Sequence, residues 1–151
     1  MLQSEAFLRL LLLLALAGDV AAGQTDRQQQ FDEFTVRYQA LPAIALEPRA
    51  AWAYGVTQQR NRGVLSLRIT TRVDGSGEPT PVEANLKVLA KSAAGTVATV
   101  PMRQVTVDEA VIYIGEFDIL DRESVTLDIA AMPTGLEKPL HLELHQKFFT
   151  W

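Results

Sequence analysis

Apolar and polar residues alternate with a period of two over most of this chain. In FDEFTVRYQA (residues 31–40), Phe34, Val36 and Tyr38 alternate with threonine, arginine and glutamine. Successive side chains of a β-strand point to opposite faces, so this alternation predicts strands with one buried face. With this one, about seven strands are predicted; the others cover 62–72, 82–91, 96–107, 110–119, 124–133 and 140–151.

Proline and glycine divide these strands and predict where the chain turns. The run DGSGEPTP separates the strands of 62–72 and 82–91, which we expect to pair as a hairpin with a long loop. Pro101 cannot donate to a sheet ladder, so the strand of 96–107 is expected at a sheet edge or with a bulge. The strand of 110–119 is apolar on both faces, which is typical of a central strand.

A short helix is predicted in the sequence EPRAAWAYG. Pro48 suits the first turn of a helix, and Gly55 suits the left-handed residue that ends one after about two turns. With this helix between the first two strands, the pattern predicts an antiparallel immunoglobulin-like β-sandwich, and a small barrel is the alternative. The polar lead-in QTDRQQQ, residues 24–30, is expected to be loose.

The first 23 residues have the layout of a secretory signal peptide. Arg9 precedes an apolar run over 10–17, and small residues including Ala21 and Ala22 follow. An uncleaved membrane anchor is the alternative, but it needs roughly 20 apolar residues, and this run is shorter. We therefore expect residues 1–23 to be removed, no membrane insertion afterwards, and a single β-sandwich domain over 24–151.

The composition excludes several functional classes. The chain has no cysteine, which rules out disulfide scaffolds, thiol catalysis and cysteine-ligated metal sites. Its net charge is −4. The one basic cluster, Arg60, Asn61 and Arg62, has no interleaved aromatic residue, so nucleic acid is not an expected partner.

The only two histidines, His141 and His145, flank Glu143 in the last strand and raise the question of a metal site. Four residues of a strand span roughly 13 Å, whereas zinc holds imidazole nitrogens at about 2 Å. The two rings therefore do not readily share one ion, and there is no third histidine. We predict that these residues and Lys147 form the solvent face of a half-buried strand, with no metal site and no cofactor.

No catalytic motif is evident. Neither Ser66 nor Ser124 lies in a Gly-x-Ser-x-Gly context. Acidic pairs fall at turns or strand ends, where carboxylates are routinely solvated and no pocket is expected; they are Asp32/Glu33, Asp108/Glu109 and Asp121/Glu123. We therefore predict that the chain is not an enzyme.

The segment from Ala40 to Val56 is the best candidate for a binding surface, because it places Ile44, Leu46, Trp52 and Tyr54 outside the regular strands. Tryptophan and tyrosine are enriched in interfaces, so these four residues are predicted to contact a partner. In the alternative, the helix closes an open end of the sandwich and buries Trp52 in the core. Tryptophan is highly buried on average, which favours that alternative.

The chain resembles the uncharacterised exported bacterial family known as domain of unknown function 4426. The resemblance rests on FDEFTVRYQA, LEPRAAWAYGV followed by RNRGVLSLRI, AVIYIGEFDI and HLELHQKFF, in that order. The chain departs from the family pattern before the helix, where LPAIAL stands in place of a polar stretch containing Asn-Ser/Thr. The resemblance implies a Gram-negative periplasm and supplies no activity, substrate or catalytic residue.

These observations lead to three functional hypotheses. The first is a non-catalytic periplasmic protein-interaction module that binds an unknown envelope protein, in an oligomeric state that the sequence does not determine. The second is a carrier of a small apolar ligand, which requires a cavity of roughly 300 Å³ or more between the sheets. The third is a hydrolase using Asp108 and Glu109, which ranks last because no motif supports it.

Overall fold

The computed structural model describes residues 27–72 and 77–150, and the predicted signal peptide lies outside these ranges. Two antiparallel sheets pack face to face as an immunoglobulin-like β-sandwich, which confirms the predicted fold class. A 3-10 turn at Ala43–Ala45 and the helix α1 at Pro48–Tyr54 follow the second strand. The strands are β1 Arg27–Phe31, β2 Phe34–Pro42, β3 Arg62–Thr71, β4 Thr80–Pro81, β5 Ala84–Ser92, β6 Val97–Val100, β7 Met102–Val107, β8 Ala110–Asp118, β9 Ser124–Pro133 and β10 Leu140–Lys147.

The strands are divided between a larger sheet A and a smaller sheet B. Sheet A has the order β1-β2-β3-β8-β7, and the two-residue β4 also pairs with β3. Sheet B has the order β10-β9-β5-β6. The predicted strands correspond to β2, β3, β5, β6 with β7, β8, β9 and β10, so β1 and β4 are additional.

Alternate residues of both sheets form an apolar core between them. Val36 from sheet A and Leu127 and Ile129 from sheet B are almost completely buried, as the period of two predicts. Each side chain of this kind contributes about 1.5–3 kcal/mol when it leaves water. After β10 the chain adds Phe148, whose ring packs edge to face on Phe117 with centroids 5.5 Å apart. The core therefore extends to the C-terminal end of the described chain.

Pro101 marks the point where the chain passes from one sheet to the other. β6 ends at Val100 in sheet B, and β7 begins at Met102 in sheet A. Both strands lie at the edge of their sheet, as expected for a segment whose proline has no backbone N–H to donate. The predicted edge position is confirmed, and the one predicted strand of 96–107 is two strands.

Two local predictions are wrong. β3 and β5 do not form a hairpin, because β3 lies in sheet A and β5 lies in sheet B. The connection pairs briefly with the end of β3 through Thr80 and Pro81 and then crosses the sandwich. The lead-in is not loose from residue 27 onward, since β1 pairs with β2 along its whole length. Backbone hydrogen bonds to a neighbouring strand do not require apolar side chains.

β8 is buried on both faces and lies between β3 and β7, as its sequence predicts. Tyr113 and Phe117 face the core between the sheets. Ile112 and Ile114 face the opposite way and belong to a second apolar cluster on the outer side of sheet A. The outer face of β8 must therefore be covered by another segment of the chain.

Gly115 in β8 pairs with Met102 of β7, and the structure leaves no room for a side chain there. An added Cβ would collide with Met102 Sδ and lie 2.7 Å from Val100 Cγ1. We expect Gly115→Ala to lower the free energy of unfolding by about 1–3 kcal/mol, because overpacking forces neighbouring atoms to move. Urea unfolding followed by circular dichroism measures this change.

The matched control for this substitution is a Val100→Ala background, which removes the methyl group that the new Cβ would meet. Gly115→Ala should cost less in that background than in the wild-type chain, because substitutions of contacting residues are not additive. Equal losses in both backgrounds would contradict the close approach of Gly115 to Val100.

Candidate functional site

Residues 43–56, called the α1 segment below, cover the outer face of sheet A. Ala43 and Val56 are buried at its two ends in the second apolar cluster, which includes side chains of β3 and β8. Leu46 and Tyr54 pack against the same cluster and are partly buried. The α1 segment is therefore fixed to the sheet by apolar contacts on one side only.

The ends of α1 follow directly from its sequence. Pro48 occupies the first turn, where its missing N–H has no intrahelical partner to lose. Gly55 ends the helix with φ of 66°, a left-handed conformation that glycine adopts without a Cβ clash. The N–H of Gly55 donates to Trp52 O at 3.2 Å, and the N–H of Val56 donates to Ala51 O at 2.8 Å. The predicted start and stop of the helix are confirmed.

Arg103 of β7 anchors the C-terminal end of α1 to sheet A. Its Nη2 donates to Tyr54 O at 2.7 Å and to Gly55 O at 3.1 Å, and its Nη1 lies 3.3 Å from Glu116 Oε2 of β8. A guanidinium at this end satisfies carbonyls without helical partners and complements the helix dipole. Arg103 could not be predicted from the sequence, because Tyr54 lies 49 residues earlier and no local pattern connects the two.

Trp52 points away from sheet A and is 86% exposed. Its neighbour Ala51 is buried and faces the sheet, and Trp52, about 100° further round the helix, faces solvent. The alternative that buries Trp52 in the core is wrong, because α1 lies on the outer face of a sheet and not at an open end of the sandwich.

The four residues predicted to contact a partner all lie in the α1 segment but differ in exposure. Ile44, Leu46 and Tyr54 are half-buried, and Leu46 and Tyr54 also help to fix the segment on sheet A. Trp52 alone among the four is widely exposed. Their role in binding a partner stays a prediction, and Trp52 is its central residue.

The histidines of β10 lie on the outer, solvent-facing side of sheet B, as predicted, whereas the leucines between them face the core. His145 Nε2 lies 2.6 Å from Glu143 Oε1, and its Nδ1 lies 2.8 Å from Thr126 Oγ1. An ionised carboxylate only accepts, so in the neutral ring Nε2 donates to Glu143 and Nδ1 accepts from the Thr126 hydroxyl. Both ring nitrogens of His145 are therefore engaged by neighbouring side chains.

Lys91 and Asp128 form an ion pair on the same outer face of sheet B. The hydrogen bond between the two side chains lowers the pKa of the Asp128 carboxyl and raises the pKa of the Lys91 ammonium. Glu143 adds to both shifts, by a hydrogen bond to Asp128 and by its charge near Lys91. The charges of Lys91 and Asp128 are thus matched to one another.

The acidic pair Asp108 and Glu109 forms the two-residue turn between β7 and β8, with φ of 48° and 66°. Positive φ at both positions is what the tightest hairpin turns require. Both side chains are exposed to solvent. Among residues 27–72 and 77–150, neither Asp108 nor Glu109 lines the cleft described next, and the hydrolase hypothesis stays a prediction.

A cleft of about 480 Å³ opens between the two sheets, beside β6 and the end of β8. Apolar side chains from both sheets line it, including Ala90, Phe117 and Val125. Arg62 and Asp118 also line it and form an ion pair of 2.5 Å. No sequence pattern predicted this cleft, because it depends on how the two sheets are placed against each other.

We expect Arg103→Met to loosen the α1 segment. The substitution keeps an apolar stem and removes the donors to the carbonyls of Tyr54 and Gly55, and hydrogen bonds to charged groups contribute about 1.5–3 kcal/mol each. The amide protons of Gly55 and Val56 should exchange with deuterium about tenfold faster or more, because local opening becomes easier. Arg60→Met, at an exposed site, is the control, and unchanged protection in the Arg103 variant would contradict the anchoring role.

Solved structures with the same fold include a DUF4426 family protein from Pseudomonas aeruginosa PAO1, at 25% identity and a TM-score of 0.69, covering 83% of this chain and 96% of that one. FetP from uropathogenic Escherichia coli strain F11 matches at 12% identity and a TM-score of 0.58, covering 85% of this chain and 97% of that one. A copper-bound variant of Campylobacter jejuni P19 matches at 11% identity and a TM-score of 0.57, covering 84% of this chain and 96% of that one. The likeness to FetP and P19 shows a shared fold alone.

Copper is bound in a variant of P19 and in a variant of FetP. Within residues 27–72 and 77–150 of this chain, no group of three or more His, Cys, Asp or Glu side chains is arranged to hold a metal ion. Both ring nitrogens of His145 already have side-chain partners. The described residues therefore do not fit a metal centre built from such ligands.

The comparison with protein families agrees with the resemblance seen in the sequence. No match to a curated protein was found. The family model described as "Domain of unknown function (DUF4426)" matches residues 28–150, which is most of the chain. A protein of that family also shares its fold over nearly the same length. The chain therefore belongs to the DUF4426 family.

Proposed function

We propose that this chain is a non-catalytic binding protein of the Gram-negative envelope that contacts a protein partner through Trp52. The observation that carries this proposal is the 86% exposure of Trp52 on a helix that is itself held firmly. Arg103 anchors one end of that helix, and buried alanine and valine side chains fix the rest of the segment. Family membership assigns no activity that competes with a binding role.

A rigidly presented tryptophan is well suited to drive association. Its ring offers about 150–250 Å² of surface to a partner. Because α1 is already ordered, little backbone entropy is lost on binding. More of the interaction energy therefore contributes to affinity. Ile44 and Tyr54 of the same segment are half-buried and keep part of their apolar surface accessible. The partner that fits this surface presents an apolar pocket with a hydrogen-bond acceptor for the indole N–H.

The start of the chain and one protein of the same fold support an envelope location. Residues 1–23 have the composition of a secretory signal peptide. No helix within 27–72 and 77–150 is long and apolar enough to span a bilayer. FetP, which shares the fold, was recombinantly expressed in the periplasm of E. coli.

We expect Trp52→Ala to abolish capture of a specific partner from envelope extract, while the wild-type protein retains it. Truncating a hot-spot tryptophan costs about 2 kcal/mol or more, which weakens binding about 30-fold. Mass spectrometry identifies the captured protein, and calorimetry with that purified protein measures the dissociation constant for each variant.

The matched control for this experiment is Leu120→Ala, because Leu120 is a widely exposed apolar residue outside the α1 segment. This variant should bind the partner as tightly as the wild-type protein. Equal affinity of the Trp52 variant and the wild-type protein would contradict the proposed contact, as would equal losses from both substitutions.

The cleft between the sheets favours a second candidate function, the carrying of a small apolar ligand. Its volume of about 480 Å³ exceeds the roughly 300 Å³ that a small-molecule site needs, and apolar side chains form much of its lining. Ala98 lines the cleft from the edge strand β6, so a bulky residue at that position would occupy it.

If the cleft carries a ligand, native mass spectrometry of the purified protein should show a bound small molecule, and Ala98→Phe should lose it by filling the space. Ala45→Phe, in the 3-10 turn, is the control and should retain the ligand. Finding only the mass of the bare polypeptide in several wild-type preparations would count against this second function.

A further inference from the structure

A polar groove runs over the outer face of sheet A, across β1, β2 and β3. Its volume is about 730 Å³. A smaller depression of about 220 Å³ continues it toward Tyr54 of the α1 segment, and the two share Arg37 and Arg68. Neutral hydrogen-bonding side chains line the groove on either side of these arginines, including Gln28, Gln30, Thr35 and Thr70.

Arg37 and Arg68 are direct cross-strand neighbours in the register of β2 and β3. Such residues have Cβ atoms about 4.5–5.5 Å apart, and like charges in these positions are destabilising. Arg37 Nε donates to Gln28 Oε1 at 3.1 Å, a neutral partner that leaves its charge uncompensated. Within 27–72 and 77–150, the Arg68 guanidinium has neither an ion pair nor a hydrogen bond. The pair therefore presents two unmatched positive charges to solvent.

Acidic side chains are scarce around this pair, although the whole chain carries a net charge of −4. Asp32 and Glu33 line the groove at the turn between β1 and β2, where Arg72 lines it as well. The cross-strand rows on either side of the arginines are neutral: Gln30, Thr35 and Thr70 on one side, Gln39 and Ser66 on the other. Positive charge is thus concentrated at the centre of the groove.

We propose that this groove binds an acidic oligosaccharide, with its carboxylate or phosphate group between Arg37 and Arg68. Guanidinium groups bind both anions through paired hydrogen bonds, and an anion placed there relieves the repulsion between the two arginines. From Thr35 to Gln39 the groove and the depression together are roughly 13 Å long, so a single inorganic anion would fill only their centre. The flanking amides and hydroxyls complement the hydroxyl groups of neighbouring sugar units.

This proposal does not depend on the partner contact at Trp52, and the two fail separately. A trisaccharide of galacturonic acid is the probe, and isothermal calorimetry at low salt measures its binding to the protein. Maltotriose, a neutral trisaccharide, and inorganic phosphate are the reference ligands. Trp52→Ala should bind the acidic trisaccharide as the wild-type protein does.

We expect the acidic trisaccharide to bind the wild-type protein, and Arg68→Gln to weaken its binding about tenfold or more, which is the effect of losing a charge-assisted pair. Arg60→Gln removes the same charge from an exposed site outside the groove and should leave binding unchanged. Thermal unfolding shows that the Arg68 variant is folded, and its Tm without ligand should equal or exceed that of the wild-type protein, because the like-charge contact is gone.

Three results would overturn the proposal: no binding of the acidic trisaccharide, equal affinity of Arg68→Gln and the wild-type protein, or binding of maltotriose or phosphate as tightly as the acidic trisaccharide. The last result would show a site for neutral sugars or for a simple anion, which contradicts the extended acidic ligand.

Discussion

Burial of β8 on both faces is the constraint on which the rest of this structure depends. The outward isoleucines Ile112 and Ile114 would lie open to water if the α1 segment did not cover them. Small residues such as Ala43 and Ala51 let the backbone of that segment approach the sheet closely. The end of its helix then carries carbonyls without helical partners, which Arg103 satisfies. Exposure of Trp52 follows from the same geometry, since Ala51 takes the helix position that faces the sheet and Trp52 lies about 100° further round the helix.

Ion pairs occur on the outer faces of both sheets. Lys91 is paired with Asp128 on sheet B, and Arg103 is paired with Glu116 on sheet A. On sheet A, Arg37 and Arg68 lie side by side without an acidic partner among the described residues. Two unmatched like charges held side by side fit the proposed contact with an external anion.

The positions of strands could be predicted where one face is exposed to solvent, because alternation then appears in the sequence, as it does in β2, β9 and β10. Which strands pair with each other could not be predicted. The connection between β3 and β5 carries the same turn residues whether the chain folds back or crosses to the other sheet. β1 was missed because an edge strand can be held by backbone bonds while its side chains stay polar.

Prediction of the candidate sites was limited in the same way. Composition identified the segment that carries Trp52, but the direction of that side chain depends on which helix face meets the sheet. The high average burial of tryptophan favoured a position in the core for Trp52, which is wrong. The juxtaposition of Arg37 with Arg68 is set by the register between β2 and β3, which alternation within each strand does not determine.

The pairing of β3 with β8, for example Arg62 with Asp118, joins residues 56 positions apart. Closing a loop of that length costs about 3.5 kcal/mol of chain entropy before its contacts form. Sheets built on such distant pairs fold in about milliseconds to seconds. Until the centre of sheet A closes, the isoleucine-rich strand β8 stays accessible to other chains, so the molecule is most prone to aggregate before that step.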